Sequence, residues 1–193
     1  MRTLFSLLFL VLAFVLAFFL YKSIEEPIAF QNVRTERDDA VSSKLEMIRR
    51  AQEVYRDITG EFAGNFDTLK QVLTEEDLLE IKVIGDPDDP DFQGEIRYDT
   101  TRVPARTVLA ERNIVLDGLE DVPYGDGAKF DIEAKVIPYQ STDVAVVQVG
   151  VRKKVYMGEY GDDKFKQYDQ SYDPNAPMKF GDLNKPTLTG SWQ

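Results

Sequence analysis

Cysteine and histidine are both absent from this chain of 193 residues. Without cysteine there are no disulfide bonds, no thiolate catalysis and no metal sites built on cysteine, and an oxidising compartment is compatible with the composition. Without histidine the commonest general base is missing, which leaves carboxylates, hydroxyls and lysines as candidate reactive groups. We therefore predict that the protein is not an enzyme and needs no cofactor.

Clustered positive charge is also scarce. Lys and Arg number 23 against 34 Asp and Glu, so the net charge is -11 and the isoelectric point is about 4.6. Binding to nucleic acid requires clustered Lys and Arg, and an acidic surface is repelled by anionic lipid. The composition predicts no nucleic-acid partner and disfavours a domain that lies flat on a membrane.

A long apolar run is present at the N-terminus, where Thr3 to Tyr21 contain no charge over 19 residues. As a helix this run is about 28 Å long, close to the hydrocarbon thickness of a bilayer. A cleavable signal peptide is the alternative, but its apolar region is about 7 to 15 residues long and ends at a small-x-small site. We predict an uncleaved transmembrane signal anchor over residues 1–21, which contacts the membrane through residues 3–21.

The charges around this run indicate how it crosses the membrane. Arg2 and the amino terminus lie on one side, and Lys22 lies on the other, where Glu25 and Glu26 follow it. The positive-inside rule then favours an N-in, C-out arrangement. The prediction is a single-pass inner-membrane protein with its C-terminal domain in the periplasm.

A helix is predicted after the anchor. Apolar residues recur every three or four positions from Ile24 to Thr59, with an interruption at Pro27. Residues 22–43 should form a helical stalk, since Arg34 to Ser43 are mostly charged or polar and should project. From Lys44 onward the apolar face should pack on a sheet. A plain amphipathic core helix that follows a disordered linker is the alternative.

Alternating patterns predict a small antiparallel sheet within an α+β globular domain at residues 44–158. Lys129 to Val136 alternate cleanly and Val144 to Val155 form the longest strand, so the two should pair as a hairpin. A further strand is predicted at Ile81 to Ile84, and Glu95 to Tyr98 are predicted to begin another. The long amphipathic helix should lie on one face of this sheet. The side chains expected to cover the helix are those of Phe130, Ile132, Ala134 and Val136.

The C-terminal residues 159–193 show little periodicity and are rich in Tyr, Asp, Asn, Gly and Pro. They are predicted to form an irregular aromatic and acidic tail. A fully disordered tail is usually poor in aromatic residues, so docking on the domain or on a partner is favoured. The aromatic residues concerned are Tyr160, Phe165, Tyr168, Tyr172, Phe180 and Trp192.

One acidic cluster is a candidate metal site. Asp86, Asp88, Asp89 and Asp91 provide four carboxylates within six residues, and Ca²⁺ prefers such hard oxygen ligands. The regular spacing of a calcium-binding loop is missing, however, and the intervening prolines indicate a turn. A solvated acidic loop is therefore favoured, and a calcium site is the alternative.

Three segments resemble the end of the first helix and the following loop in type IV pilins and the pseudopilins of type II secretion. The segments are Ile48 to Tyr55, Thr59 to Phe62 and Phe66 to Leu69. The resemblance implies a pilin-like fold. The chain lacks a Gly before the apolar run and an acid within it, which counts against processing by a prepilin peptidase and ordinary filament assembly.

A second resemblance covers nearly the whole chain and is to an uncharacterised family of single-span envelope proteins of Bacteroidota-type bacteria. It implies a location in the cell envelope and supplies no mechanism. The segments that carry it are Ile28 to Phe30, Ile48 to Gln52, Phe66 to Leu69, Ile84 to Asp86, Leu119 to Tyr124, Gly127 to Phe130 and Gly190 to Trp192.

Taken together, these patterns predict a membrane-anchored structural component of an envelope complex, pilin- or pseudopilin-like, whose partners are envelope proteins or copies of itself. A membrane-tethered periplasmic module that binds a ligand or calcium is the alternative. A carboxylate-dependent hydrolase is a third class, although no pair of acids stands out. The residues expected to make lateral helix contacts are Ile28, Phe30, Val33 and Val41.

Overall fold

The computed structural model of the chain describes residues 2–84 and 97–193, with side chains described for residues 5–80 and 99–193. Its first element is helix α1, Arg2–Thr59, of 58 residues. At about 1.5 Å per residue, α1 is about 87 Å long. Its N-terminal part is long and apolar enough to cross a membrane, as the sequence predicts.

Pro27 lies inside α1, so the prediction that the helix is interrupted there was wrong. Proline fixes φ near a helical value and costs the helix one backbone hydrogen bond, because it has no N–H. Such a residue disfavours a helix without forbidding it. Packing of the helix C-terminal to Pro27, described below, favours its continuation.

Helix α1 ends at Thr59, and the next residue, Gly60, has a φ of +84°, the left-handed conformation typical of a helix C-terminus. Helix α2, Phe66–Glu75, follows after a short loop. Asn65 caps α2, because its side-chain oxygen accepts a hydrogen bond from the Thr68 N–H at 2.8 Å. The buried residues of α2 are Phe66, Leu69 and Leu73, which belong to the main core.

The first sheet is a two-stranded antiparallel hairpin of β1, Asp77–Ile84, and β2, Arg97–Pro104. Leu78 lies opposite Val103 in its register, and both residues pack against the core. Strand β2 leads directly into helix α3, Ala105–Glu111. Strand β1 begins at Asp77, earlier than the predicted Ile81.

The second sheet has three antiparallel strands in the order β3-β4-β5. Strands β3, Asp131–Tyr139, and β4, Thr142–Arg152, form the predicted hairpin, closed by Gln140 and Ser141 at positive φ. Strand β5, Pro177–Gly181, comes from the segment expected to be an irregular tail. The domain therefore has two small sheets where one was expected.

The chain between β4 and β5 crosses α1. Strand β4 ends earlier than predicted, and helix α4, Lys153–Tyr156, replaces its expected end. Two 3₁₀ turns follow, Gly158–Tyr160 and Asp163–Gln167. These short elements bring a series of aromatic side chains onto the helix.

The core lies between the C-terminal half of α1 and the second sheet. Ile132 and Ala134 of β3 pack against this core, but Val136 is 48% exposed, so the prediction that Val136 covers the helix was wrong. The end of the β3–β4 hairpin extends past the core. The predicted α+β class, with a long apolar N-terminal helix and small antiparallel sheets, is confirmed. Fully buried members of the core include Leu45, Ile48, Ala51, Val54, Val147, Val149 and Phe180.

Candidate functional site

The candidate site is the place where C-terminal residues close around helix α1 above its apolar run. Six residues between Tyr156 and Tyr172 contact α1 between Glu26 and Asp38. We call these six residues the clamp. They are Tyr156, Tyr160, Phe165, Tyr168, Asp169 and Tyr172.

Phe30 lies at the centre of the clamp and is fully buried. The Phe165 ring stacks on it at a centroid distance of 5.3 Å and an interplanar angle of 9°, and the Tyr172 ring meets it edge-on at 5.0 Å. The rings of Tyr160 and Tyr168 lie at 5.9 and 6.3 Å. An aromatic pair of this kind contributes about 0.5–1.5 kcal/mol beyond the burial of its surface. The cluster therefore holds the C-terminal segment on the helix.

One turn further along α1, Arg34 forms an ion pair with Asp169. The Asp169 carboxylate also accepts hydrogen bonds from the backbone N–H of Ser171 at 2.8 Å and from its hydroxyl at 2.7 Å. Hydrogen bonding from Ser171, together with the nearby Arg34, lowers the pKa of Asp169 to about 2. The carboxylate is thus charged at neutral pH.

Asp38 connects α1 to the base of the clamp. Its carboxylate accepts a hydrogen bond of 2.6 Å from the hydroxyl of Tyr156, which is fully buried. The Lys153 ammonium lies 3.5 Å from the same carboxylate and the Arg34 Nε lies 3.7 Å from it. Burial, and then the bond to Asp38, raises the pKa of the Tyr156 hydroxyl well above its ordinary value. The buried phenol therefore stays neutral and donates to the carboxylate.

Arg37 reinforces the contact from the side of α1. Its guanidinium donates a 2.7 Å hydrogen bond to the carbonyl of Tyr156 and lies over the ring of Tyr124 at 5.0 Å. The hydroxyl of Tyr124 donates to Glu36 at 2.9 Å. Charged residues of α1 thus bond to two separate segments of the domain.

The opposite face of α1 carries apolar side chains without this cover. Ile28 is two positions from Phe30, which on a helix is a rotation of about 200°. Ile28 is 54% exposed, and Ile24, one turn away, is 53% exposed. This face continues the exposed apolar surface of the N-terminal run toward the domain.

The structure separates the four residues predicted for lateral helix contacts. Phe30 and Val41 are fully buried inside this chain, whereas Val33 is half-buried and Ile28 is exposed. The expectation that residues 34–43 project as a stalk is corrected, because this segment packs against the clamp. Arg34 pairs with Asp169, and Arg37 and Asp38 bond to Tyr156, so these three charged side chains do not simply face water.

The predicted calcium ligands Asp86, Asp88, Asp89 and Asp91 lie outside the described residues. Within the described ranges, no group of three or more acidic side chains is arranged to hold a metal ion. A groove of about 450 Å³ next to the clamp is lined by Asp38, Asp39, Lys153 and Trp192, among others. Asp38 and Lys153 lie 3.5 Å apart there and pair with each other.

The chemistry of the clamp is suited to holding two segments together. Burial raises the pKa of Tyr172 to about 12, so its hydroxyl is neutral at physiological pH and donates to the carbonyl of Tyr160 at 2.7 Å. Asp38 and Asp169 are each bonded to a cation and to a hydroxyl. These polar groups satisfy one another at the contact.

Sequence reasoning favoured docking of the aromatic C-terminal residues on the domain or on a partner but did not place them on α1, although one signal for this contact existed. The buried positions Phe30, Val41, Leu45 and Ile48 follow a helical stripe, and Arg34 and Arg37 occupy places in that stripe between Phe30 and Val41. Charged residues on the buried stripe of a helix indicate polar partners elsewhere in the chain. The C-terminal segment, which is rich in Tyr and Asp, contains side chains that could be such partners.

We expect Asp169 to stabilise the protein at neutral pH and to lose this effect in acid. Its pKa is about 2 in the folded chain against an ordinary value of 3.8. Because the folded pKa is the lower one, the stabilisation is full above pH 4 and is lost as the pH falls from about 4 to about 2. At neutral pH it is about 1–2 kcal/mol after allowance for solvent screening.

The measurement is the free energy of unfolding of the wild type and of Asp169→Asn between pH 2 and pH 7. The difference between the two proteins should be largest at pH 7 and should be mostly lost at pH 2. Asp117→Asn is the control, because Asp117 is exposed and its loss should have little effect at any pH. A difference for Asp169→Asn that does not change with pH would contradict the assignment.

Comparisons of the chain with models of protein families, with curated proteins and with solved structures find no match.

Proposed function

We propose that the protein is a non-enzymatic, membrane-anchored structural component of a cell-envelope complex, with a pilin- or pseudopilin-like architecture. The observation that carries the proposal is the continuity of α1, Arg2–Thr59. Its N-terminal part is an exposed apolar rod and its C-terminal half is the core helix of a small α+β domain. One continuous helix thus connects a bilayer to the folded domain.

The exposed apolar surface supports anchoring. Every large apolar side chain described from Phe5 to Tyr21 is at least 43% exposed. Monomeric soluble proteins rarely expose contiguous apolar patches larger than a few hundred Å². A bilayer is the environment that best covers a single helix on all sides.

The charges that flank the apolar run support an orientation with the N-terminus in the cytoplasm and the domain in the periplasm. Arg2 precedes the run, and Lys22 is followed by Glu25 and Glu26. The acidic domain also lacks the positive charge that would bind it to anionic lipid. In this arrangement the domain stands above the membrane on α1.

Assembly is proposed to use the uncovered face of α1. Ile24 and Ile28 are exposed near the end of the apolar run, on the side of the helix away from Phe30. Exposed apolar residues next to a membrane anchor favour contact with another helix. The partner is an envelope protein or a second copy of this chain.

The proposal is tested on the full-length chain in isolated bacterial membranes. We expect the protein to resist extraction by alkaline carbonate, to keep residues 1–21 in its intact mass, and to leave mild detergent as a stoichiometric complex. A soluble monomer whose mass begins near Lys22 would contradict both the anchor and the assembly.

A charge on the uncovered face should prevent assembly. We expect Ile28→Asp to remain in the membrane but to lose the complex, since a carboxylate cannot be buried in an apolar helix contact without a large cost. The measurement is native mass spectrometry after detergent extraction. Ser23→Asp is the control, because Ser23 is exposed and lies about 140° around the helix from Ile28. If Ile28→Asp forms the same complex as the wild type, this face is not the contact.

A further inference from the structure

Pro27 is a weak point in the long helix. It has no N–H to bond the carbonyl of Ser23, and its ring crowds that carbonyl, which is why proline usually kinks a helix. The side chains just before it offer little support, since Ile24 is 53% exposed and Tyr21 is 66% exposed. Something outside the helix must set its direction at this point.

The main core of the domain begins too far along α1 to do so. Among the described side chains of α1, the first fully buried residue after Phe30 is Val41. Without contacts at Phe30 and Arg34, the helix between Pro27 and Val41 would be held only at its far end. That segment is more than three helical turns long.

The clamp contacts α1 on both sides of Pro27. The Tyr168 hydroxyl donates a 2.8 Å hydrogen bond to Glu26, the residue before the proline. The Tyr168 ring also lies 6.3 Å from Phe30, three residues after the proline, and Phe165 stacks on Phe30 at 5.3 Å. One side chain of the clamp therefore bridges the position where the helix is weakest.

The bridging residue is itself fixed in place. Tyr168 lies beside Phe165 with ring centroids 6.1 Å apart, and the next residue, Asp169, forms the ion pair with Arg34. Tyr172 holds the other end of the segment through its bond to the carbonyl of Tyr160. The clamp is thus held in place by its own contacts where it crosses Pro27.

We infer that the clamp fixes the angle of α1 at Pro27, and that opening the clamp lets the apolar N-terminal part of the helix pivot about this proline. The clamp then sets the orientation of the domain relative to the anchor. This inference concerns the helix of a single chain and does not depend on the proposed assembly.

The test measures the distance along α1 in the full-length protein. Because the chain has no cysteine, Leu20→Cys and Asp57→Cys provide two unique sites for nitroxide labels, both exposed. The two sites are about 55 Å apart on an unbroken helix. Double electron–electron resonance of the labelled protein in detergent should give one narrow distance distribution.

Phe165→Ala combined with Tyr168→Phe removes the stacking and the bond to Glu26. We expect the width of the distribution to at least double and its mean to move to a shorter distance. Tyr168→Phe alone keeps the ring and should broaden the distribution less. It also tests the inference if the double variant fails to fold, which circular dichroism would detect.

Pro27→Ala is the matched control, since it restores a backbone donor at the weak point. In this background the same clamp substitutions should leave the distribution narrow. Broadening that is equal with and without Pro27 would overturn the inference, as would a distribution that stays narrow when the clamp is removed. The labelled protein is diluted with an excess of unlabelled protein, so that the measured distances are those within one chain. The result then does not depend on the proposed assembly.

Discussion

Replacement of Gln52 by Met is expected to lower the free energy of unfolding by about 3 kcal/mol, because two buried backbone groups would lose their partners. Gln52 is fully buried. Its amide donates to the carbonyl of Ala63 and accepts from the Ala63 N–H, both at 2.9 Å. Methionine keeps most of the volume of the side chain but can form neither bond. The loss of stability then comes from the two missing hydrogen bonds to Ala63 and not from a cavity.

Gln71→Met provides the matched control for this prediction. Gln71 is exposed on helix α2, and its amide donates to Glu75 at 3.1 Å. Its replacement should change stability by no more than about 0.5 kcal/mol. Chemical denaturation of the two variants measures both values. Similar small losses for Gln52→Met and Gln71→Met would show that the bonds to Ala63 are not important for stability.

Gly181→Ala is the second substitution for which a large loss is expected. Gly181 has a φ of +76°, and a Cβ added there would lie 2.0 Å from the carbonyl oxygen of Val147. The unfavourable φ costs about 1–2 kcal/mol, and the forced separation of β4 from β5 adds about 1–3 kcal/mol. We expect a total loss of about 2–5 kcal/mol in the free energy of unfolding.

Gly127→Ala separates these two contributions. Gly127 has a similar φ of +85°, but an added Cβ would meet nothing within 4 Å. This variant should therefore lose only the conformational part, about 1–2 kcal/mol. The comparison requires denaturation curves of both variants under the same conditions. An equal loss at the two positions would mean that β4 and β5 separate easily.

The features that the sequence predicts correctly are those encoded locally. The apolar N-terminal helix follows from an unbroken run of residues, and the β3–β4 hairpin follows from two alternating segments a few residues apart. In both cases the residues that determine the structure lie within a short stretch of chain. Strand β5 is five residues long and is surrounded by turn residues, so its pattern is too short to identify.

The contact of the clamp with α1 could not be predicted, because the paired residues are distant in sequence. Arg34 and Asp169 are 135 positions apart, and Asp38 and Tyr156 are 118 positions apart. Taken alone, the charged residues of α1 between Arg34 and Ser43 are typical of a solvated surface. Their partners, Asp169 and Tyr156, come close to them only in the folded chain.

Residues near Trp192 contact α1, and this contact has a consequence for how the chain folds. The indole N–H of Trp192 donates to Glu46, 146 positions earlier, at 3.3 Å, and residue 190 pairs with β5. Helix α1 is synthesised before strand β5, which packs against it. Contacts of such long range form late and slowly. The apolar stripe of α1 is therefore exposed until β5 has been synthesised. During this time a chaperone would protect the chain from aggregation.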